Sequence, residues 1–164
     1  MGIRRILVPT DFSTTAARAL DLAIELGAPA RAEIVLLHAV EPTHYASSPE
    51  LYGPAPSRVL DFVAEQERWA KAELSKAAKR LHGRRVGVHA LVQTGSAYDV
   101  IVKTAEHLRA DLIVMGTQGR TGFSHLLMGS VAEKVVRLAP CPVVTIGPKR
   151  PAAKRPTRVR SRKR

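Results

Sequence analysis

The chain has 164 residues, 45% of them hydrophobic, with a single cysteine and a formal net charge of +12. That composition suits one globular domain with a proper core and excludes a fibrous chain or one held by internal disulfides. Its longest apolar stretches, such as 34–37, fall far short of the roughly 20 residues a membrane-crossing helix needs. In chain order, the first predicted element is a short strand from Ile3 to Val8, ended by Pro9. Ser13 or Thr14 then caps a helix in which Ala17, Leu20 and Ile24 share a face and Gly27 marks the end. Ala32 to Val40 is a second strand, apolar on both sides of the pleat through Ile34–Leu37, as a helix-covered parallel sheet requires. A long amphipathic helix follows, with Val59, Phe62, Val63, Gln66, Ala70, Leu74, Ala77 and Leu81 at three-to-four spacing. Val86 to Val92 is a third run of the same apolar kind. The next helix carries Ala97, Ile101, Thr104, Ala105 and Leu108 on one face and opens on Ser96 and Asp99, a capping-box arrangement. Asp111 to Met115 is the fourth strand, Val131, Val135 and Leu138 mark the last helix, and Pro142 to Ile146 is the fifth strand.

Strand and helix alternate throughout, which predicts βαβ units and an α/β fold: an open, mostly parallel five-stranded sheet with helices on both faces, Rossmann-like in kind. Two segments break the rhythm. Residues 41–57, with four prolines, read as a long surface loop. Residues 116–129 are the other, directly after the fourth strand. Beyond residue 147 the composition shifts again: 148–164 holds nine Lys/Arg and no acid, so only +3 of the formal charge belongs to the rest of the chain. The expected organisation is a domain over 1–147 and a basic tail over 148–164, too poor in apolar side chains to fold alone.

Ligands of open α/β sheets sit at the carboxyl ends of the strands, where the strand order reverses. Two such ends have unusual composition here. Pro9-Thr10-Asp11 follows the first strand. Gly116-Thr117-Gln118-Gly119 follows the fourth, with Gly129-Ser130 at the start of a helix. Glycines let backbone amides approach a phosphate chain, and the free N–H groups of Gly129, Ser130 and Val131 favour an anion. No G-x4-G-K-[ST] occurs, so this is not a P-loop, nor does a G-x-G-x-x-G follow the first strand.

The spacing G-x2-G-x9-G-[ST], filled by Gly116, Gly119, Gly129 and Ser130, resembles the ATP-binding signature of the universal stress protein family. Arg5-Ile6-Leu7-Val8-Pro9-Thr10-Asp11-Phe12-Ser13, Leu36-Leu37-His38-Ala39-Val40 and Ala139-Pro140-Cys141-Pro142-Val143-Val144 extend the likeness from about Ile3 to Ile146. The resemblance implies the adenine nucleotide alpha hydrolase-like variant of the fold and a chain that binds ATP, with Mg²⁺, as a stress-response sensor or adaptor. On that likeness Ala39 meets the adenine edge beside Pro9 and Thr10. Asp11 faces the ribose and phosphates and helps hold Mg²⁺. Met115 and Gly116 line the ribose, Gln118 and Gly119 begin the phosphate loop, and Gly129, Ser130 and Val131 close around the phosphates. The resemblance also implies a homodimer through pairing of Val143–Ile146.

Each of these residues has a plainer role to set beside the functional one. Asp11 can cap the first helix, Ser130 can be an ordinary N-cap, and Gly119 and Gly122 can simply let the loop turn. His38, in an apolar strand, reads as a packed, hydrogen-bonded residue, while His125 in the glycine loop is a further candidate for phosphate contact. The six histidines show no metal-ligand spacing, and Cys141, between two prolines, reads as inert packing. No catalytic set stands out, so the chain is not expected to be an enzyme; slow ATP hydrolysis would need only Mg²⁺, a positioned water and stabilised phosphate charge. The alternative readings are a weak ATPase and a nucleic-acid-associated protein that uses the tail for salt-sensitive contact with nucleic acid or an anionic surface. Met1 to Val8 has two arginines and no sustained apolar run, so no secretory leader is expected and the compartment is cytoplasmic.

Overall fold

Ile6, Leu7 and Val8 have no solvent-accessible surface, which a strand achieves only when it is paired on both sides and covered on both faces. They form β1 (Arg5–Pro9) in a computed structural model that describes residues 2–42, 56–81, 83–117 and 128–148. The other elements are α1 (Thr14–Gly27), β2 (Glu33–Val40), α2 (Pro56–Arg80), β3 (Gly87–Thr94), α3 (Ala97–His107), β4 (Leu112–Gly116), α4 (Ser130–Leu138) and β5 (Val143–Ile146), with one 3₁₀ turn at Ala28–Ala30. All five strands are parallel, in the order β3-β2-β1-β4-β5. The chain therefore builds outward from β1 to β3, returns to the far side of β1 with β4, and ends at β5.

Alternation along the strands divides the core in two. Ile6, Val8, Ile34, Leu36, Leu112 and Val114 pack against Ala19, Ala23 and Ile24 of α1 and Leu74 of α2, with Leu81 just beyond its end. Leu7, Val35, Leu37, Ile113 and Met115 face Val100, Ile101 and Ala105 of α3 and Ala132 and Val135 of α4. The helices thus cover both faces of an α/β sheet, as the sequence predicts.

Several local expectations change. β1 starts at Arg5 rather than Ile3 and runs to Pro9, which lies in register with Leu37. Ala17 is exposed, and the inner face of α1 is Thr15, Ala16, Ala19, Ala23 and Ile24. Adjacent alanines are equally apolar, so periodicity alone cannot choose between Ala16 and Ala17. β3 is not a doubly buried strand like β2. It is an edge, with Gly87, His89 and Ala90 exposed while Val88 and Val92 pack toward α2. Leu138 is 56% exposed at the end of α4, so Val135 rather than Leu138 anchors that helix.

Charge pins the amino-terminal edge of the sheet. The Asp111 carboxylate accepts from the backbone N–H groups of Arg4 and Arg5 at 2.8 and 2.9 Å. Arg5 in turn pairs with Glu33 at 2.8 Å and donates to the Leu108 carbonyl. At the opposite edge β4 closes against α1: a Cβ on Gly116 would stand 2.9 Å from Thr15 Oγ1 and 3.2 Å from the Thr15 carbonyl carbon.

Two predictions follow from these contacts. The two backbone N–H groups hold the Asp111 carboxyl below its ordinary value, so their stabilisation is complete above the usual carboxylate range and is lost as pH falls through the lowered value. Urea unfolding should show Asp111→Ala less stable than the parent at pH 7, by under about 1 kcal/mol at so exposed a site, with the gap closing in acid. Gly116→Ala forces its methyl into Thr15 and should lower stability by roughly 1–3 kcal/mol, a drop of about 3–8 °C in Tm by calorimetry.

Candidate functional site

The strand order reverses between β1 and β4, and the crevice of an open α/β sheet lies at the carboxyl ends of such a pair. Leu7 pairs with Ile113, so three residues on, Thr10 and Gly116 leave the sheet at the same level. Pro9 pairs with Leu37, which brings Asp11 level with Ala39 on β2.

The turn from β1 into α1 is tightly specified. Thr10 N–H donates to the Leu37 carbonyl at 2.8 Å, Thr10 Oγ1 accepts from Phe12 N–H at 3.0 Å, and His38 Nδ1 lies 2.8 Å from the Thr10 carbonyl oxygen. Phe12 adopts a left-handed backbone conformation at φ 65°, which a bulky residue takes up only when its surroundings hold it there. Asp11 Oδ1 accepts from Ser13 N–H at 3.1 Å, and Ser13 Oγ accepts from Ala16 N–H at 3.2 Å. Ser13 is therefore the N-cap of α1, and Asp11 forms an Asx turn one step earlier, with its half-buried carboxylate at the crevice edge.

Across the crevice, Thr117 is buried and ties three segments together. Its N–H donates to the Ile146 carbonyl at 2.9 Å, its hydroxyl lies 3.3 Å from the same oxygen, and its own carbonyl accepts from Gly129 N–H at 2.7 Å. The two ends of the segment between β4 and α4 are thereby clasped. Gly129 is the N-cap of α4, with an ordinary φ of −75°. Space there is tight, since a Cβ would stand 3.1 Å from the Thr117 carbonyl oxygen. With Gly129 as cap, Ser130 is the first helical residue and its exposed hydroxyl is not spent on capping. The first intrahelical bond is Glu133 N–H to the Gly129 carbonyl, so the amides of Ser130, Val131 and Ala132 form the anion-favouring end of α4.

Pro9, Thr10, Asp11, Ala39, Met115, Gly116, Gly129, Ser130 and Val131 thus stand along one edge of the sheet, on the strand ends and helix starts nearest the switch point. Met115 contributes backbone only, since its side chain is in the core against α3 and α4. Gln118, Gly119, Gly122 and His125 lie outside the described residues. The contacts made by Thr117, Thr15 and Glu41 carry no local signal in the sequence. Glu41 accepts from Ala97 N–H at 2.5 Å and caps α3 in place of the expected box: Ser96 makes no side-chain cap bond, and Asp99 pairs with Lys103 at 2.7 Å. A glutamate 56 positions from the helix it caps leaves no local signal. Among the described residues no group of three or more His, Cys, Asp or Glu could hold a metal ion. Burial raises the Cys141 thiol above its ordinary value, which disfavours the thiolate.

Comparison with known proteins identifies the family. The model of the universal stress protein family matches residues 2–147. Universal stress protein MJ0531 of Methanocaldococcus jannaschii is 32% identical over 143 residues, 87% of this chain and 81% of that protein. The solved structure of MJ0577, a universal stress protein of the same organism, superposes with a TM-score of 0.80 at 28% identity, covering 91% of this chain and 99% of that one. A family member from Arabidopsis thaliana solved with AMP bound has the same fold, with a TM-score of 0.62 at 23% identity over 89% of this chain and 92% of its own. With the match spanning nearly the whole chain, this protein belongs to the universal stress protein family.

Proposed function

We propose that this chain is an ATP-binding universal stress protein that acts as a sensor or adaptor, with hydrolysis at most slow. The observation that carries the reading is the convergence, at the β1/β4 switch point, of the Thr10–Asp11 turn, the Gly116–Thr117 strand end and the Gly129–Ser130 helix start. That arrangement offers what an adenine nucleotide needs. Helix N-terminal amides and the Ser130 hydroxyl meet the phosphates, small residues (Ala39, Gly116, Gly129) admit the ligand's rings and chain, and Asp11 faces them from the opposite strand. AMP in the Arabidopsis family member is support at the level of the shared fold. Pro9, Met115 and Val131 complete the described part of the proposed site, with Gln118 and Gly119 supplying the phosphate loop.

Mg²⁺ fits this scheme only as a companion of the phosphates. Among the described residues the Asp11 carboxylate stands at the crevice edge, and a carboxylate with phosphate oxygens and water is a common Mg²⁺ environment. The protein's part is to bind and orient.

β5 supplies the second part of the reading. It is the outermost strand on its side of the sheet, and Val143–Ile146 are only half-buried. Val136 and Leu138 on α4, the helix packed on β5, are 47% and 56% exposed. An unpaired edge flanked by exposed aliphatics suits pairing with the same strand of a second copy, giving a homodimer. No helix among the described residues is long and apolar enough to cross a membrane, and the proposed compartment is the cytoplasm. The nine cations of 148–164 favour one alternative, electrostatic contact with nucleic acid or an anionic surface, with the folded domain as carrier.

Calorimetric titration with ATP and Mg²⁺ separates the readings when done on the full chain and on a chain ending at Gly147. Saturable one-site binding that survives truncation is expected, whereas binding that requires the tail would mean attraction of polyphosphate to arginines. Ser130→Ala should weaken ATP by about tenfold through loss of one hydrogen bond to a charged group, and Gly119→Val should abolish binding. Unchanged affinity in both variants would sink the proposed site.

A further inference from the structure

His38 occupies a position where β2 would otherwise continue its apolar face. Ile34 and Leu36 on that face are fully buried against α1 and α2, and the imidazole takes the next inward place. Its Nδ1 reaches out of β2 to the Thr10 carbonyl at 2.8 Å, across the exit of the neighbouring strand. A carbonyl oxygen only accepts, so Nδ1 carries a proton, and the ring in its neutral form is the Nδ1–H tautomer. Both backbone groups of Thr10 are then committed within the protein, its N–H to Leu37 and its C=O to His38. The path of the chain into Asp11 is set by those two bonds.

Aromatic packing reinforces the same turn. The Phe12 ring lies tilted over the His38 ring with centroids 4.7 Å apart, and Trp69 of α2 meets both edge-on at 5.0 and 6.3 Å. Edge-to-face contacts at these separations are favourable and directional. They hold Phe12 in its left-handed conformation, immediately after Asp11. The cluster connects α2, β2 and the β1–α1 turn at the level of Ala39, the residue that follows His38.

From this arrangement we infer that His38 is a positioning residue of the nucleotide site: its hydrogen bond to Thr10, braced by Phe12 and Trp69, holds Asp11 where a bound nucleotide requires it. The inference rests on the function proposed above. His38 acts through Thr10 and not by touching the ligand. Losing the donor leaves the Thr10 carbonyl without this partner and frees the turn to shift, and small displacements of a positioning group are costly to binding.

Calorimetric titration with ATP and Mg²⁺ tests this on the parent and two full-length variants. His38→Leu keeps similar bulk without a donor and should bind about tenfold more weakly, the effect of one well-placed hydrogen bond. His38→Asn places an amide nitrogen near the position of Nδ1 and should stay within about twofold of the parent. Trp69 is the single tryptophan, so its fluorescence reports whether the cluster remains assembled in each variant. Nitrogen NMR adds a readout on the parent itself: His38, assigned by the signal missing in His38→Asn, should show the Nδ1–H tautomer and shift on addition of ATP. Parent-like affinity in His38→Leu, equal losses in both variants, an Nε2–H tautomer or an Nδ1 signal indifferent to ATP would each overturn the inference. A parent chain that binds no ATP would instead overturn the nucleotide reading, and this inference with it.

Discussion

Everything at the candidate site depends on β1 being hydrogen-bonded between two parallel neighbours while both its faces are buried. A strand so placed has no freedom to slide or tilt, since a one-residue slip would turn Leu7 into the α1/α2 core and Ile6 and Val8 out of it. Its rigidity passes to the residues that leave it. The turn after Pro9 emerges beside the end of β4, and the chain diverges there because β2 lies to one side of β1 and β4 to the other. The crevice follows from that topology before any side chain in it is considered.

Around the crevice, the protein uses its polar groups to hold loops rather than to fill space. Thr117 ties β4, β5 and the start of α4 with hydrogen bonds, and Arg18 of α1 donates to the carbonyl of Gly147 just past β5. Glu41, leaving β2, caps α3. Each of these bonds joins the exit of a strand to another element, so the strand ends are mutually braced along the edge where a ligand would lie on the proposed reading. The opposite edge is braced by charge, through Asp111, Arg5 and Glu33. Among the described residues no buried side-chain nitrogen or oxygen lacks a hydrogen-bond partner, which agrees with a core divided cleanly into two apolar layers.

Close packing explains two of the glycines without reference to any ligand. A methyl on Gly116 would collide with Thr15, and one on Gly129 would press on the Thr117 carbonyl oxygen at 3.1 Å. On the proposed reading, packing and ligand access make the same demand: the backbone packed against Thr15 and Thr117 is also the backbone that a phosphate would approach. A glycine pattern is therefore informative about this site for two physical reasons at once, and neither reason alone would require all of its members.

The order and type of the elements were legible from the residues, because helical and strand periodicity record burial against near neighbours in the chain: Ile34–Leu37 reads as doubly buried and is. The start of α4 at Gly129–Ser130 and the family resemblance were legible for the same reason, being runs of adjacent residues with a distinctive spacing. The rest was decided only by the tertiary structure. Which alanine of α1 faces inward, why β3 is an edge, that Glu41 rather than Ser96 serves α3, and that Thr117 clasps the glycine segment all depend on contacts between residues tens of positions apart. A single sequence carries no periodic trace of such pairs, because each is one hydrogen bond or one packing contact whose partners meet only after the sheet has set their separation.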